Sequence, residues 1–230
     1  MNLLPGIKRI GFDLDGCLYV MRPEIEVELR KHACEKIVQH TGITYEEAKT
    51  DLDSRYRLHS SLKTCLQELG VTDPNEVARE SLARANVEGL LEEAHEVRAV
   101  LRQLKEKGFA VDLITKNEEP VARRRLAKLG LLEEFGFAVA ILSHKREGFL
   151  KWVELSRCSP SELFYVGDRV EDDVRTPRSL GINAALVDYS SAEPAFYDEK
   201  HGCWCINHLK ELLSIGEKEA KRGKAVVGSV

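Results

Sequence analysis

The chain has 230 residues, of which 43% are hydrophobic and 31% are charged, and its formal net charge is −4. This length is sufficient for one sizeable core with a small satellite domain. The charge balance argues against a nucleic acid as the main partner, because a polyanion requires a clearly basic surface. We interpret the basic cluster from Arg123 to Arg125 as a solvated helix face.

No stretch approaches the ~20 consecutive apolar residues of a membrane helix, and the amino terminus lacks the apolar segment of a secretory signal. The six cysteines show no disulfide-framework spacing, which fits free thiols in a reducing compartment. We therefore expect a soluble cytoplasmic protein that does not bind membranes. The sequence leaves its oligomeric state open.

Five short apolar runs bounded by turn residues are typical of buried parallel strands. They span residues 7–12, 109–114, 137–142, 163–166 and 184–187. Helical patterns lie between the later runs, at 90–107 before Gly108 and at 120–129 after Asn117, a candidate helix cap. The alternation of strand and helix from residue 109 predicts an α/β fold with a Rossmann-like, doubly wound parallel sheet.

The stretch from residue 22 to 88 contains no strand pattern. It is predicted to form helices over 23–39, 44–57 and 74–85, with Thr44 and Asp73 as candidate caps. A helical insertion directly after the first strand is best explained as a small cap domain over the carboxyl edge of the sheet. We therefore divide the chain into an α/β core (1–21 and 89–215), a helical cap (22–88) and a flexible tail (216–230). A separate helical domain is less consistent with a sheet that resumes at residue 109.

Acidic residues follow two of the predicted strands. Asp13 and Asp15 come after the first strand, and this pair alone fits either a surface turn or a cation site. The strand at 163–166 is followed by Asp168 and by further acids at 171–173. Because open α/β sheets bind ligands at the carboxyl ends of their strands, the two groups converge there. Clustered carboxylates need a hard divalent cation, such as Mg²⁺.

Polar side chains follow two further strands, the second and the third. Thr115, Lys116 and Asn117 follow the second strand, where a hydroxyl and an amide can bind phosphate oxygens. Asn117 can serve as a helix cap, as a phosphate ligand or as both. Lys145 follows the third strand and can neutralise a phosphate and steady a neighbouring carboxylate as a point charge.

With these elements in this order, the chain resembles the haloacid dehalogenase superfamily of phosphohydrolases from residue 7 to about 213. The family's first motif is similar to the segment from Asp13 to Leu18, and its second motif to Thr115. Its third motif is similar to Lys145, and its fourth to Gly167-Asp168 with Asp173. The helical stretch looks loosely like the caps of pyrimidine 5′-nucleotidases and phosphoglycolate phosphatases. The resemblance implies a small phosphomonoester as substrate.

The resemblance assigns the chemistry to two carboxylates. Asp13 would attack the phosphorus and form an aspartyl-phosphate, while Asp15 would protonate the leaving group and then activate water. The dehalogenases of the superfamily lack an acid two residues after the nucleophile, so Asp15 favours phosphoryl transfer over carbon–halogen cleavage.

The resemblance also implies the ligands. Mg²⁺ would be bound by Asp13, the backbone carbonyl of Asp15 and Asp168, with Asp173, or else Asp172, holding metal-bound water.

Thr115 and Lys145 would bind the phosphoryl group, together with the neighbouring Lys116 and Asn117. Lys116 and Lys151 are distant substitutes for the third-motif lysine.

The sequence departs from the family pattern at two positions. Cys17 stands where the family usually has threonine, and Arg146 follows Lys145 in place of the frequent proline. A packing role for Cys17 is favoured over a nucleophilic one. Two alternatives stay open: a phosphomutase that uses the same aspartyl-phosphate, and a degenerate module that binds without catalysis.

His201, Cys203, Cys205 and His208 have a spacing that invites a zinc interpretation. Residues 203–206 also fit a short final strand, on which alternation would place both thiols on one face. We favour a packed thiol pair over a structural zinc. Trp152 and Trp204 are expected in the core or at the interface with the cap.

Overall fold

The structure is a computed structural model that describes residues 5–59, 61–136, 138–140 and 144–215, with only the backbone described for 138–140. The predicted tail at 216–230 and the outer residues of the strand predicted at 137–142 lie outside this part of the chain. Contacts divide the chain into two compact units: Met1–Val20 with Glu92–Val230, and Met21–Leu91.

The first unit contains one seven-stranded sheet with the order β3-β2-β1-β4-β5-β7-β6. Its strands are β1 (Arg9–Phe12), β2 (Ala110–Thr115), β3 (Ala138–Ala140), β4 (Leu163–Gly167), β5 (Asn183–Val187), β6 (Phe196–Asp198) and β7 (Cys203–Ile206). Neighbouring strands are parallel, except that β6 runs antiparallel to β7. The predicted doubly wound parallel sheet is confirmed, and β6 is an addition to it.

The second unit is helical. Its elements are α1 (Pro23–Thr41), α2 (Tyr45–His59), α3 (Leu62–Glu68), α4 (Pro74–Arg84) and a 3₁₀ turn at Val87–Leu90. Thr44 caps α2 as predicted, since its hydroxyl accepts a hydrogen bond from the Glu47 N–H while the Glu47 carboxylate accepts one from the Thr44 N–H. Asp73 precedes α4 but makes no side-chain cap bond. The role of this unit as a cap over the sheet stays a prediction.

The helices of the first unit are α5 (His95–Glu106), α6 (Glu119–Lys128), α7 (Lys145–Ser156) and α8 (Thr176–Ser179), which follows a π-helical segment at Val170–Arg175. The predicted start of a helix at residue 90 is wrong, because the chain passes from one unit to the other between Leu91 and Glu92. Asn117 is not the cap of α6, since Glu118 occupies that position. No described helix has the length and apolarity that a membrane span requires.

The central strand β1 helps to define the carboxyl edge of the sheet. Phe12 pairs with Leu113 of β2 on one side and with Val166 of β4 on the other. The chain after Phe12 is held as well, because the Asp13 N–H donates to the Val166 carbonyl at 2.9 Å. Residues that directly follow β1, β2 and β4 therefore meet at one edge of the sheet.

A partly buried ion pair, whose carboxylate is fully buried, joins β1 to β2 and contacts α7. The Arg9 guanidinium donates from Nε and Nη2 to the two oxygens of Asp112 at 2.7 and 2.8 Å. The indole of Trp152, which is fully buried as predicted, donates to the same carboxylate at 2.8 Å. Because a buried carboxylate needs partners, this network links the two strands that end at the carboxyl edge of the sheet.

We expect Asp112→Ala to lower the free energy of unfolding by about 1–3 kcal/mol, because it removes the acceptor of the buried indole N–H and the carboxylate that the partly exposed Arg9 contacts. Urea unfolding measures this loss. The exposed Glu106, on α5, provides the control, and Glu106→Ala should stay within about 0.5 kcal/mol of wild type. Equal, small losses in both variants would contradict a structural role for the network.

Candidate active site

The turn after β1 is built from two buried leucines and one glycine. Leu14 and Leu18 are fully buried, and the Leu18 N–H donates to the Leu14 carbonyl at 3.0 Å. Gly16 has a φ of +79°, and a Cβ there would lie 2.4 Å from Oδ2 of Asp168. Glycine is required at this position for both reasons. The turn thereby brings the backbone of the first motif against the Asp168 carboxylate.

Asp13, Asp168 and Asp173 form one carboxylate cluster. Each offers an oxygen, and these oxygens all lie within 4.8 Å of one another. Asp173 comes from the π-helical segment and packs over Gly167, where a Cβ would lie 2.4 Å from its carboxyl carbon. The Arg169 N–H donates to Asp173 at 2.9 Å, whereas Oδ1 of Asp168 is buried and has no hydrogen-bond partner among the described residues.

Lys145 is the cation of this cluster. Its side chain is 3% exposed, and its ammonium lies 2.8 Å from Oδ2 of Asp13 and 2.5 Å from Oδ1 of Asp173. Lys145 therefore contacts Asp13, and its expected role of steadying a nucleophile stays a prediction. Neither of its predicted substitutes lies in the cluster, since Lys151 is exposed and Lys116 pairs with Asp172 at 2.5 Å.

Burial and the proximity of like charges raise the pKa values of two carboxyl groups of the cluster. The pKa of Asp13 is raised to about 7, because burial, together with the charges of Asp173 and Asp168, outweighs the opposing charge of Lys145. Burial, with Asp173 as a neighbour, raises the pKa of Asp168 to about 6. Burial lowers the pKa of Lys145, but the charges of Asp13 and Asp173 outweigh it and hold that pKa above its ordinary value. Extra positive charge would favour full ionisation of the acids.

The cluster fits a hard divalent cation. Three ionised carboxylates and one ammonium leave a net charge of −2, and all the available ligand atoms are oxygens. The buried Oδ1 of Asp168 provides an acceptor that no group in the described part of the chain uses. Asp13, Asp168 and Asp173 are therefore the side chains able to hold Mg²⁺, and the side chain of Asp15 is not one of them.

Asp15 belongs to a separate network. Arg125 donates from Nη1 to both of its oxygens at 2.8 and 2.9 Å, and Asn117 Nδ2 donates to Oδ2 at 2.9 Å. The Tyr19 hydroxyl donates to Oδ1 at 2.5 Å. Burial raises the pKa of Asp15, but the Arg125 charge and the hydrogen bonds from Asn117 and Tyr19 outweigh it, so the pKa is lowered overall.

The interpretation of Arg123 to Arg125 as a solvated face is wrong for Arg125, which is fully buried. The helical period of α6 could have identified the buried arginine from the sequence. Buried positions of α6 and its end are 121, 122, 125, 126 and 129, so Arg125 lies on the apolar stripe while Arg123 is exposed. A cationic side chain on the buried face of a helix that follows β2 indicates an anionic partner in the interior.

The residues after β2 are distributed between the two networks. The buried Thr115 accepts hydrogen bonds at Oγ1 from the Asn117 N–H at 3.2 Å and from Asn117 Nδ2 at 3.0 Å. Asn117 therefore joins Thr115 to Asp15. Lys116 contacts Asp172, as described above, which links the loops after β2 and β4. The phosphate-binding roles of these residues stay predictions.

Cys17 is buried, and its thiol donates to the Val166 carbonyl at 3.4 Å. Burial holds the pKa of the thiol well above its usual range, which favours packing over nucleophilic chemistry. The Cys17 carbonyl accepts a 2.6 Å hydrogen bond from the Tyr189 hydroxyl. Sequence reasoning missed Tyr189, although its position just after β5 places it at the same edge.

The two cysteines of β7 pack in an apolar cluster with Val174, Ala184 and Leu186. This is the arrangement predicted for a packed thiol pair. Within the described ranges, the three aspartates at 13, 168 and 173 are the only group of three metal-ligating side chains that converge.

Comparison with known proteins gives one consistent family. The model of haloacid dehalogenase-like hydrolases matches residues 7–181. A glyceraldehyde 3-phosphate phosphatase of Methanocaldococcus jannaschii is 28% identical over 91% of this chain and 96% of its own length. A second one, of Pyrococcus furiosus, is 26% identical over 97% of this chain and 98% of its own length. The crystal structure of a phosphatase from Thermococcus onnurineus, at 20% identity, has the same fold, with a TM-score of 0.62 over 91% of this chain and 97% of that one.

We expect Mg²⁺ to raise the Tm by more at pH 8 than at pH 5.5. The raised pKa values of Asp13 and Asp168 mean that the folded apo-protein holds protons that the unfolded chain releases, so its stability falls as pH rises from about 4 to about 7. The cation competes with these protons. At about 100 times its Kd, it should add about 2.7 kcal/mol at the higher pH.

Differential scanning calorimetry with and without Mg²⁺ measures the shift, and Asp168→Asn is the variant that should lose it. A Tm rise that is the same at both pH values, or unchanged in Asp168→Asn, would contradict the assignment of the metal ligands.

Proposed function

We propose, from the premise that the chain belongs to the haloacid dehalogenase-like hydrolase family, that it is a Mg²⁺-dependent phosphatase of small phosphomonoesters with an aspartyl-phosphate intermediate on Asp13. The observation that carries the proposal is the direct pairing of Asp13 with the buried ammonium of Lys145 inside a three-carboxylate cluster.

Asp13 is the proposed nucleophile because its position is fixed and its charge is supported. Its backbone N–H is bound to β4, and one carboxylate oxygen is held by Lys145 at 2.8 Å. The ammonium favours the ionised, nucleophilic form and offers positive charge to an incoming phosphoryl group. Positioning and charge neutralisation are the main contributions that a protein makes to phosphoryl transfer.

Asp15 is the proposed proton-transfer group. The Arg125 charge favours ionised Asp15 at rest, so the cycle starts with a proton that Asp15 takes up as the phosphate monoester binds. In the first step an oxygen of Asp13 forms a bond to phosphorus, the ester P–O bond breaks, and the leaving oxygen takes this proton from the Asp15 carboxyl group. In the second step water attacks the phosphorus of the aspartyl-phosphate and gives its proton to the Asp15 carboxylate. Inorganic phosphate leaves, and both side chains return to their starting states.

The remaining assignments concern binding. Asp13, Asp168 and Asp173 would hold Mg²⁺, which when bound neutralises the charge of the transferring phosphoryl group. Thr115 and Lys145 would bind phosphoryl oxygens. Asn117 is engaged with Thr115 and Asp15, so its amide serves to orient these groups.

A three-carbon sugar phosphate is a reasonable first substrate, because the two curated relatives described above are glyceraldehyde 3-phosphate phosphatases. The six cysteines are free, which supports the prediction of a cytoplasmic enzyme. The phosphomutase alternative differs in one outcome only: the phosphoryl group would go to a sugar hydroxyl and no inorganic phosphate would appear.

We expect Mg²⁺-dependent release of inorganic phosphate from at least one member of a panel of small phosphomonoesters that includes glyceraldehyde 3-phosphate. Asp13→Asn should lower kcat at least about a thousandfold, because it removes the nucleophile. The exposed Asp51 provides a matched control, and Asp51→Asn should keep wild-type activity. Activity that survives Asp13→Asn would overturn the nucleophile assignment, and the absence of turnover with Mg²⁺ would favour a non-catalytic module.

A further inference from the structure

Arg125 stands outside the four motifs, yet it has the most extensive contacts with Asp15. We propose that Arg125 is a positioning residue, which holds Asp15 in the orientation that proton transfer to the leaving group requires. This inference rests on the proposed function and extends it to a residue of α6 that touches neither the carboxylate cluster nor Lys145 in any described contact.

The contacts leave the Asp15 carboxylate little freedom to rotate. An ionised carboxylate has about four acceptor sites. Arg125 Nη1 contacts both oxygens, the Tyr19 hydroxyl contacts Oδ1, and Asn117 Nδ2 contacts Oδ2, all at 2.5 to 2.9 Å. The guanidinium is the one cation in this set, so it supplies the strongest of these hydrogen bonds.

Arg125 also acts through Asn117. Its Nη1 donates to the Asn117 side-chain oxygen at 3.0 Å, which turns the amide nitrogen of Asn117 toward Asp15 Oδ2 and Thr115 Oγ1. One guanidinium therefore orients both the proton-transfer carboxylate and the amide that joins it to the end of β2.

The side chains of Arg125 and Asp15 differ in their exposure to solvent. The Arg125 side chain is 0% exposed, whereas that of Asp15 is 19% exposed. Arg125 is thus anchored within the packed interior on the buried stripe of α6, and Asp15 extends from it toward the accessible side. An apolar residue on this stripe would pack without the cost of burying a charge, so stability alone does not require arginine there.

The leaving group distinguishes positioning of a proton donor from general support of the fold. An alkyl leaving group such as glycerol departs as a strong base and depends on the proton, while 4-nitrophenolate departs without one. The parameter kcat/KM reports the steps up to departure of the leaving group, which is the step in question. The effect of general acid catalysis is about 10²–10⁴-fold.

We expect Arg125→Gln to lower kcat/KM for glycerol 3-phosphate by about 30- to 100-fold and for 4-nitrophenyl phosphate by about threefold or less, since part of the acid contribution of about 10²–10⁴-fold is lost. Asp15→Asn should show the same pattern with a larger loss. Arg125→Lys keeps the charge but loses the planar guanidinium whose Nη1 contacts Asp15 and Asn117, so it should fall between wild type and Arg125→Gln on the alkyl ester.

Arg123→Gln, at an exposed position of the same helix, is the matched control and should behave as wild type on both esters. If Arg125→Gln does not fold, Arg125→Lys carries the test, since its smaller loss must still be confined to the alkyl ester. Equal losses on the two esters, or none, would overturn the positioning role while wild-type turnover upholds the proposed function. A wild-type protein that hydrolyses neither ester would overturn both.

Discussion

The constraint on which the site depends is the crowding of three carboxylates around a single buried ammonium. Asp13, Asp168 and Asp173 present oxygens within 4.8 Å of one another, and Lys145 contacts only two of the three in the described interactions. Such an arrangement repels itself in the absence of further positive charge. The rest of the local structure serves to hold it together: Gly16 admits the Asp168 carboxylate, and the parallel pairing of β1 with β4 places the strand ends side by side.

Two carboxylates only two residues apart are placed in opposite electrostatic settings. Asp13 lies among other acids, and burial raises its pKa to about 7. Asp15 lies against Arg125, whose charge, with hydrogen bonds from Asn117 and Tyr19, outweighs burial and lowers its pKa. The first group is left with unbalanced negative charge that suits a divalent cation, and the second is balanced by the chain itself. Without bound charges the two shifts run opposite to the proposed roles, because a nucleophile must be ionised and a proton donor protonated. A bound cation would favour ionised Asp13, and a bound phosphate would favour protonated Asp15.

The fold and the acidic part of the site were predictable because they depend on local rules. Apolar runs define parallel strands, and the residues that follow them must share one edge, which brought Asp13, Asp168 and Thr115 together. Arg125 was not predictable from composition, since three adjacent arginines suggest solvent, and only the register of α6 separates the buried one from its neighbours. The predicted start of α5 was wrong for a related reason. The apolar residues 90 and 91 fit the helical stripe, but Leu91 is the last residue of the other unit and α5 begins at His95.

The central claim is that Asp13 becomes phosphorylated during turnover. The most direct measurement is mass spectrometry of peptides from wild-type protein quenched in acid during hydrolysis of a phosphomonoester with Mg²⁺. The account predicts a phosphoryl group on the peptide that contains Asp13, labile to hydroxylamine and lost in the Asp13→Asn variant. A phosphoryl group on another residue, or turnover that never yields a phosphorylated protein, would contradict it.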